Sequence, residues 1–104
     1  MVEYEVAEEQ EGRGCLRLRG DLDGDTSERE LAGALAGHYT DAGVRVIVVD
    51  LFQVHQITLE GVAVLLGLLK ESKRRGKRLV IESAGGQVRR KLAVTGLLPI
   101  LSPG

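Results

Sequence analysis

Few side chains of this sequence are arranged for catalysis. Its two histidines, His38 and His55, belong to no motif that groups a base with a nucleophile and an acid. Cys15 is the single cysteine, which excludes an internal disulfide and a cysteine-ligated metal cluster. The paired glycines lack the flanking residues of a phosphate-binding loop. We therefore predict no catalytic residue, no enzyme activity and no cofactor.

Three alternating aspartates, Asp21, Asp23 and Asp25, look at first like the start of a calcium-binding loop. The glycine and the distal glutamate that such a loop requires are misplaced, however. We predict no metal site here.

Hydroxyl side chains stand at the start of two predicted helices, at Thr26, Ser27 and Thr58. A hydroxyl oxygen at a helix N-cap accepts a hydrogen bond from a backbone N–H of the first turn. The same hydroxyl is also a chemically possible phosphorylation site, which would add about two negative charges beside those amides. We interpret all three as caps and keep phosphorylation of Thr58 as the alternative.

The composition predicts one globular domain, spanning residues 1–104, with a core of aliphatic side chains. Hydrophobic residues make up 43% of the chain and charged residues 28%, and the formal net charge is -1. This balance argues against nucleic acid as a partner, because a polyanion binder needs a basic excess. Residues 1–10 lack the features of a signal peptide, and the longest nearly apolar run, residues 61–69, is too short to span a membrane. A cytoplasmic protein without direct membrane insertion is the expectation.

Hydrophobic periodicity predicts an α/β fold with the order β-β-α-β-α-β-α-β. The strands are expected over residues 2–7, 15–19, 44–51, 77–82 and 97–101, and the helices over residues 27–39, 58–75 and 87–94. This order favours a mixed sheet of about five strands with helices packed mainly on one face. Asp50 is then expected near a strand end as a hydrogen-bonded carboxylate.

The second predicted helix has two distinct faces when residues are placed 100° apart. The face assigned to the core carries Val62, Leu65, Leu66 and Leu69. The face assigned to the outside carries Glu60, Ala63, Val64, Gly67 and Glu71. An outer face with such small and partly apolar side chains is typical of a partner-docking surface. The alternative is a solvent-exposed face that merely tolerates these residues.

Four short motifs together resemble the STAS domain family, which includes bacterial anti-sigma factor antagonists. They are Gly-x-Leu-Asp at residues 20–23, Val-Val-Asp-Leu at 48–51, Arg-Gly-x-x-Leu at 75–79 and Leu-x-x-x-Gly-Leu at 92–97. The resemblance covers almost the whole chain. It implies a STAS-like fold and a protein partner.

In STAS antagonists an Asp-Ser-x-Gly motif precedes the second helix, and a partner kinase phosphorylates its serine. This sequence reads Thr58, Leu59, Glu60, Gly61 at the corresponding positions. Leu59 cannot accept a phosphate, so the usual switch is absent. The resemblance also implies that the helix start, its neighbouring loops and Asp50 lie near the partner face. The predicted partner-binding residues are Asp23, Thr58, Leu59, Glu60, Gly61, Ala63, Val64 and Gly67.

Two functions follow from the resemblance, and both are regulatory. The first is a partner-switching module of bacterial transcription that sequesters an anti-sigma factor of the histidine-kinase-like class. Without the serine it would be constitutively competent or regulated by abundance alone. The second is a STAS subunit of a larger assembly, such as a regulator of an ABC lipid-transporter ATPase or a stressosome-like scaffold. Oligomerisation is compatible with either, whereas a small-ligand carrier has only fold-level analogy behind it.

Overall fold

The computed structural model describes residues 2–96, which form a four-stranded sheet and four helices. The order along the chain is β1 (Val2–Gln10), β2 (Arg13–Leu22), α1 (Glu28–Ala34), α2 (Ala36–Thr40), β3 (Val46–Ile57), α3 (Leu59–Arg74), β4 (Arg78–Glu82) and α4 (Gly86–Val94). The predicted α/β class is confirmed, with four strands instead of about five. The strand predicted over residues 97–101 lies outside the described residues.

The sheet has the strand order β1-β2-β3-β4 and is mixed, as predicted. β1 and β2 form an antiparallel hairpin, whose turn contains Gly12 at a φ of 85°. β2, β3 and β4 are parallel to one another, so helices make the connections between them. The ends of β2 and β3 consequently lie side by side, and the chain enters both α1 and α3 from that edge.

The helices cover one face of the sheet, where the core lies. Alternate strand residues such as Leu16, Leu18 and Val49 contribute to this core, together with Leu31 and Leu65 from the helices. The opposite face carries ion pairs between β1 and β2 instead. Arg17 pairs with Glu5 at 2.9 Å and Arg19 with Glu3 at 3.0 Å.

The helix predicted over residues 27–39 is two helices, separated at Leu35. Leu35 has a φ of -86° and a ψ of 0°, and its side chain is fully buried in the core. Gly33 and Gly37 flank this break, and glycine costs about 1 kcal/mol relative to alanine inside a helix. The break therefore falls where helix propensity is weak and a core position is available.

β3 extends six residues beyond the end predicted from the sequence. The predicted end was too early because two register shifts against β2 interrupt the alternation of buried and exposed residues in this part of the strand. Asp50 therefore lies within the strand, paired with Arg17 of β2 and Glu82 of β4, and not at a strand end. Its Oδ1 accepts a hydrogen bond from the Phe52 N–H at 2.9 Å. Asp50 therefore lies on the sheet face away from the helices, and its place near a partner face stays a prediction.

Candidate functional site

The start of α3 follows directly on the end of β3, with Thr58 as the junction. Thr58 has an extended backbone, and its Oγ1 accepts a hydrogen bond from the Gly61 N–H at 3.3 Å. Its own N–H donates to the Leu22 carbonyl at 3.0 Å, which joins the end of β2 to the helix start. The cap predicted at Thr58 is confirmed.

Leu59, the first residue of α3, is 70% exposed. A leucine that covered the core from this position would be buried, so Leu59 contributes little to folding. Its apolar side chain instead projects from a helix start whose backbone is fixed by the Thr58 cap. This geometry leaves Leu59 available to a second molecule.

Gly61 is buried against the backbone of β2. A Cβ at this position would lie 2.1 Å from the Leu22 carbonyl oxygen and 3.0 Å from Cγ1 of Ile57. Only glycine therefore lets the first turn of α3 approach the end of β2 this closely. Gly61 therefore positions Leu59 by letting the helix start pack closely, and Gly61 itself is buried.

Of the positions predicted on the outward face of α3, Val64 is covered by the rest of the domain and Gly67 is half-buried. Val64 is only 8% exposed and belongs to the core, and a Cβ on Gly67 would lie 1.9 Å from Oε1 of Glu28. The outward placement of Val64 is wrong, whereas Gly67 lies at the edge of that face, where α1 packs against α3. Leu66 shows the opposite error, since it is 37% exposed instead of buried.

The true outward face of α3 carries an apolar stripe made of Leu59, Ala63 and Leu66. These residues are separated by four and three positions, which places them in line along one helix face. All three are exposed, and the line covers about 10 Å of helix. We call Leu59, Ala63 and Leu66 the α3 stripe below.

The loop between β2 and α1 lies beside the first turn of α3. A Cβ on Gly24 would lie 3.7 Å from Cγ of Glu60, so the two segments are in contact. Asp23 organises this loop by accepting a hydrogen bond from the Asp25 N–H at 3.0 Å, which lowers the pKa of its carboxyl below the ordinary value. The structure thus brings the Asp23 loop and Glu60 together, as the predicted site requires.

The other two hydroxyls, Thr26 and Ser27, have structural partners in the same loop. Ser27 caps α1, since its Oγ accepts from the Glu30 N–H at 3.1 Å. Thr26 Oγ1 accepts from the Asp23 N–H at 3.2 Å and so closes the turn instead of capping the helix. Both side chains hold the loop in place.

Cys15 and His38, considered above for catalysis, are both packed within the fold. Burial, with a further contribution from the Glu9 carboxylate, raises the pKa of the Cys15 thiol to about 12, so the thiol is protonated at neutral pH. His38 packs on Gly14 and places its Nε2 3.2 Å from the Ala7 carbonyl oxygen. Neither side chain faces a site.

A cleft that the sequence did not predict lies between the end of β3 and α4. Its volume is about 510 Å³. Its lining includes apolar residues from both elements, such as Ile57 and Val88, and two cations, Arg90 and Lys91. Lys91 donates from Nζ to the Ile57 carbonyl at 2.9 Å, which joins α4 to the β3 end. Thr58 also borders the cleft, so the cleft adjoins the helix start.

Residues 6–101 match the family model described as "Mlab, STAS domain". The chain belongs to the STAS domain family. An anti-sigma factor antagonist from Mycobacterium paratuberculosis has a similar structure, with 20% identity, coverage of 100% of this STAS domain and 87% of that chain, and a TM-score of 0.78. The unphosphorylated form of the anti-sigma factor antagonist SpoIIAA is also similar, at 18% identity, with 96% and 86% covered and a TM-score of 0.76.

A similar fold also occurs within a much larger protein. The murine anion transporter Slc26a9 matches 94% of this STAS domain at 18% identity and a TM-score of 0.77, but the match covers only 17% of the transporter. Within residues 2–96, no helix of the present domain is both long enough and apolar enough to cross a membrane.

Removal of the Thr58 cap should weaken the helix start without unfolding the domain. We expect Thr58→Ala to lower the free energy of unfolding by about 1 kcal/mol, because the Gly61 N–H loses its acceptor. Urea denaturation followed by circular dichroism measures this change. Thr58→Ser keeps the oxygen and should retain most of the stability, whereas equal losses in both variants would contradict a capping role.

Proposed function

We propose that this STAS domain is a regulatory module that binds a protein partner through the start of α3. The observation that carries the proposal is the 70% exposure of Leu59 at the position where the family resemblance implies a phosphorylated serine. The docking face comprises the α3 stripe, Glu60 and the adjoining loop at Asp23. The Thr58 cap and the close packing of Gly61 fix the backbone of this face.

The energetics of Leu59 favour docking over solvent exposure. Full burial of a leucine side chain contributes about 1.5–3 kcal/mol, and most of that gain is unused in the free domain because Leu59 is 70% exposed. The capped backbone at Thr58 and the close seat of Gly61 hold the first turn in one conformation. Binding therefore loses little conformational entropy at this turn.

The partner proposed first is an anti-sigma factor, because antagonists of anti-sigma factors have a similar fold. The family resemblance implies one of the histidine-kinase-like class. Leu59 removes the phosphate acceptor, so the complex would form constitutively or according to abundance. A second candidate is a subunit of a larger assembly, such as the ATPase of an ABC lipid transporter. The missing hydroxyl favours this candidate, because such an assembly needs no kinase. In both cases the domain acts in the cytoplasm by binding and catalyses no reaction.

Affinity capture with matched bait variants tests the proposal. Wild-type protein, Leu59→Asp and Phe52→Asp are immobilised, and a purified anti-sigma factor or transporter ATPase from the same cell is offered. Phe52 is a matched control, since it is 76% exposed but lies beside Arg17 and Asp50 on the other side of the sheet. We expect one of the two classes to bind wild type and Phe52→Asp and to be lost from Leu59→Asp. Equal retention by all three baits would exclude the α3 start as the docking face.

We expect a STAS-type serine kinase to leave position 59 unmodified, because leucine offers no acceptor. If any phosphate is transferred, it should map to Thr58, whose hydroxyl is half-buried at the helix start. Intact-mass spectrometry followed by peptide mapping gives the stoichiometry and position. A stoichiometric adduct on Thr26 or Ser27 would contradict this account and place a switch at the start of α1.

A further inference from the structure

The α3 stripe has a different charge at each end. Glu60 follows Leu59 at the N-terminal end of the stripe and contacts the β2–α1 loop at Gly24, the neighbour of Asp25 in the chain. Lys70 continues the line of Leu59, Ala63 and Leu66 at the C-terminal end, and Lys73 follows one turn later. All four charged side chains are exposed, and within residues 2–96 the structure gives none of them an ion pair.

An apolar centre with an acidic end and a basic end is complementary to itself when one copy is reversed. A twofold axis across the helix would set the acidic end of one α3 against the basic end of the other. A parallel pairing would instead set acid against acid and base against base. The charges therefore select an antiparallel arrangement, as rim charges do when they fix the register of an interface.

The sizes of the apolar residues suit the same arrangement. In an antiparallel pair centred near Ala63, Leu59 of one copy packs against Leu66 of the other, and this contact occurs twice. The small Ala63 side chain at the centre allows the two helix axes to approach. The contact would bury both leucines, which are 70% (Leu59) and 37% (Leu66) exposed in the free domain.

We propose that this domain forms a weak antiparallel homodimer through the α3 stripe, which covers Leu59 when no partner is bound. The contact area is small, so we expect a dissociation constant on the order of 100 µM. The homodimer uses the face proposed for partner docking, but its formation does not require that function. If both hold, a tight partner displaces the second copy, and self-association sets the concentration of accessible Leu59.

Sedimentation equilibrium of the purified domain tests this inference without any partner. The weight-average mass of the wild type should rise from 11.2 kDa at low concentration towards about twice that value near 1 mM. Leu59→Asp should weaken dimerisation at least about tenfold, since it buries two charges in the apolar centre. Phe52→Asp, the matched exposed control, should dimerise like the wild type to within about twofold.

A charge exchange tests the antiparallel geometry itself. Glu60→Lys and Lys70→Glu should each weaken the dimer about fivefold, and the variant carrying both changes should recover most of the wild-type affinity. The two residues are about 15 Å apart along one helix, too far to compensate each other within a single chain. Circular dichroism verifies that each variant is folded.

The outcomes separate this inference from the proposed function. A wild type that remains at 11.2 kDa up to 1 mM overturns the homodimer, whatever the partner experiments give. A dimer that survives Leu59→Asp, or that Phe52→Asp abolishes, assigns the contact to another surface and also overturns it. Failure of the double charge exchange to restore affinity overturns the antiparallel arrangement. Partner binding without self-association would leave only the proposed function standing.

Discussion

Replacement of Gly61 by alanine is expected to lower the free energy of unfolding by about 3 kcal/mol, although it adds only one methyl group. The added Cβ would lie 2.1 Å from the Leu22 carbonyl oxygen, a backbone atom that no rotamer change can move. Displacing that carbonyl also disturbs its hydrogen bond with the Thr58 N–H. For a domain of this size the loss corresponds to a melting temperature lower by roughly 10–20 °C.

The control for this prediction is Gly33→Ala, in the last turn of α1. A Cβ at Gly33 meets nothing within 4 Å, and alanine favours the helix. We expect this variant to raise the free energy of unfolding by about 0.5–1 kcal/mol. Thermal melts of both variants under identical conditions measure the contrast. If Gly61→Ala melts like the wild type, then the close approach of α3 to β2 is not a constraint on the fold.

The second large effect is expected on binding, from Leu59→Asp. An aspartate at this position places an unpaired charge in the apolar contact and should weaken binding to the captured partner about 100-fold. Folding should persist, because Leu59 is 70% exposed and a carboxylate in the first turn suits the helix dipole. Titration calorimetry gives the affinity, with thermal melts in parallel.

Leu59→Ser provides the graded comparison at the same site. It removes the apolar contact without introducing a charge, so it should weaken binding less than aspartate does. It also restores the hydroxyl that the family resemblance implies, and a related kinase should then phosphorylate it. Unchanged affinity in Leu59→Asp would falsify docking through the α3 start, and a collapsed melting temperature would show instead that Leu59 supports the core.

Much of the fold was predictable because its signals are local. Alternation in β1 and β2, the β-branched run of β3 and the apolar periodicity of α3 each placed an element in the right order. The errors arose where local pattern and tertiary contact differ. β3 was ended too early because its register shifts expose Phe52, Gln53, His55 and Gln56 and break the alternation. The break at Leu35 was missed because a buried leucine is equally compatible with a continuous helix.

The candidate site was predictable where the chemistry lies within one turn. Thr58 caps the helix and Leu59 is exposed, as their positions in the sequence indicated. The outward face of α3 was not predictable in the same way. A helical wheel assigns one buried side, whereas α3 is covered both by the sheet and by α1, so Val64 and Leu66 were placed wrongly. The cleft beside α4 was missed because its walls are 30 residues apart in the chain.

The sequence by itself determined an α/β fold and a resemblance to the STAS family, and that resemblance implies a leucine where the antagonists carry a phosphorylated serine. The fold class follows from local periodicity, and the resemblance follows from four short motifs that can be read directly from the chain. The tertiary structure decided which side chains around Leu59 are free to act. The packing of α1 against α3 buries Val64 and leaves Ala63 and Leu66 in line with Leu59. Burial depends on contacts between elements that are distant in the chain. The residue pattern of α3 alone therefore does not indicate which of its sides α1 will cover.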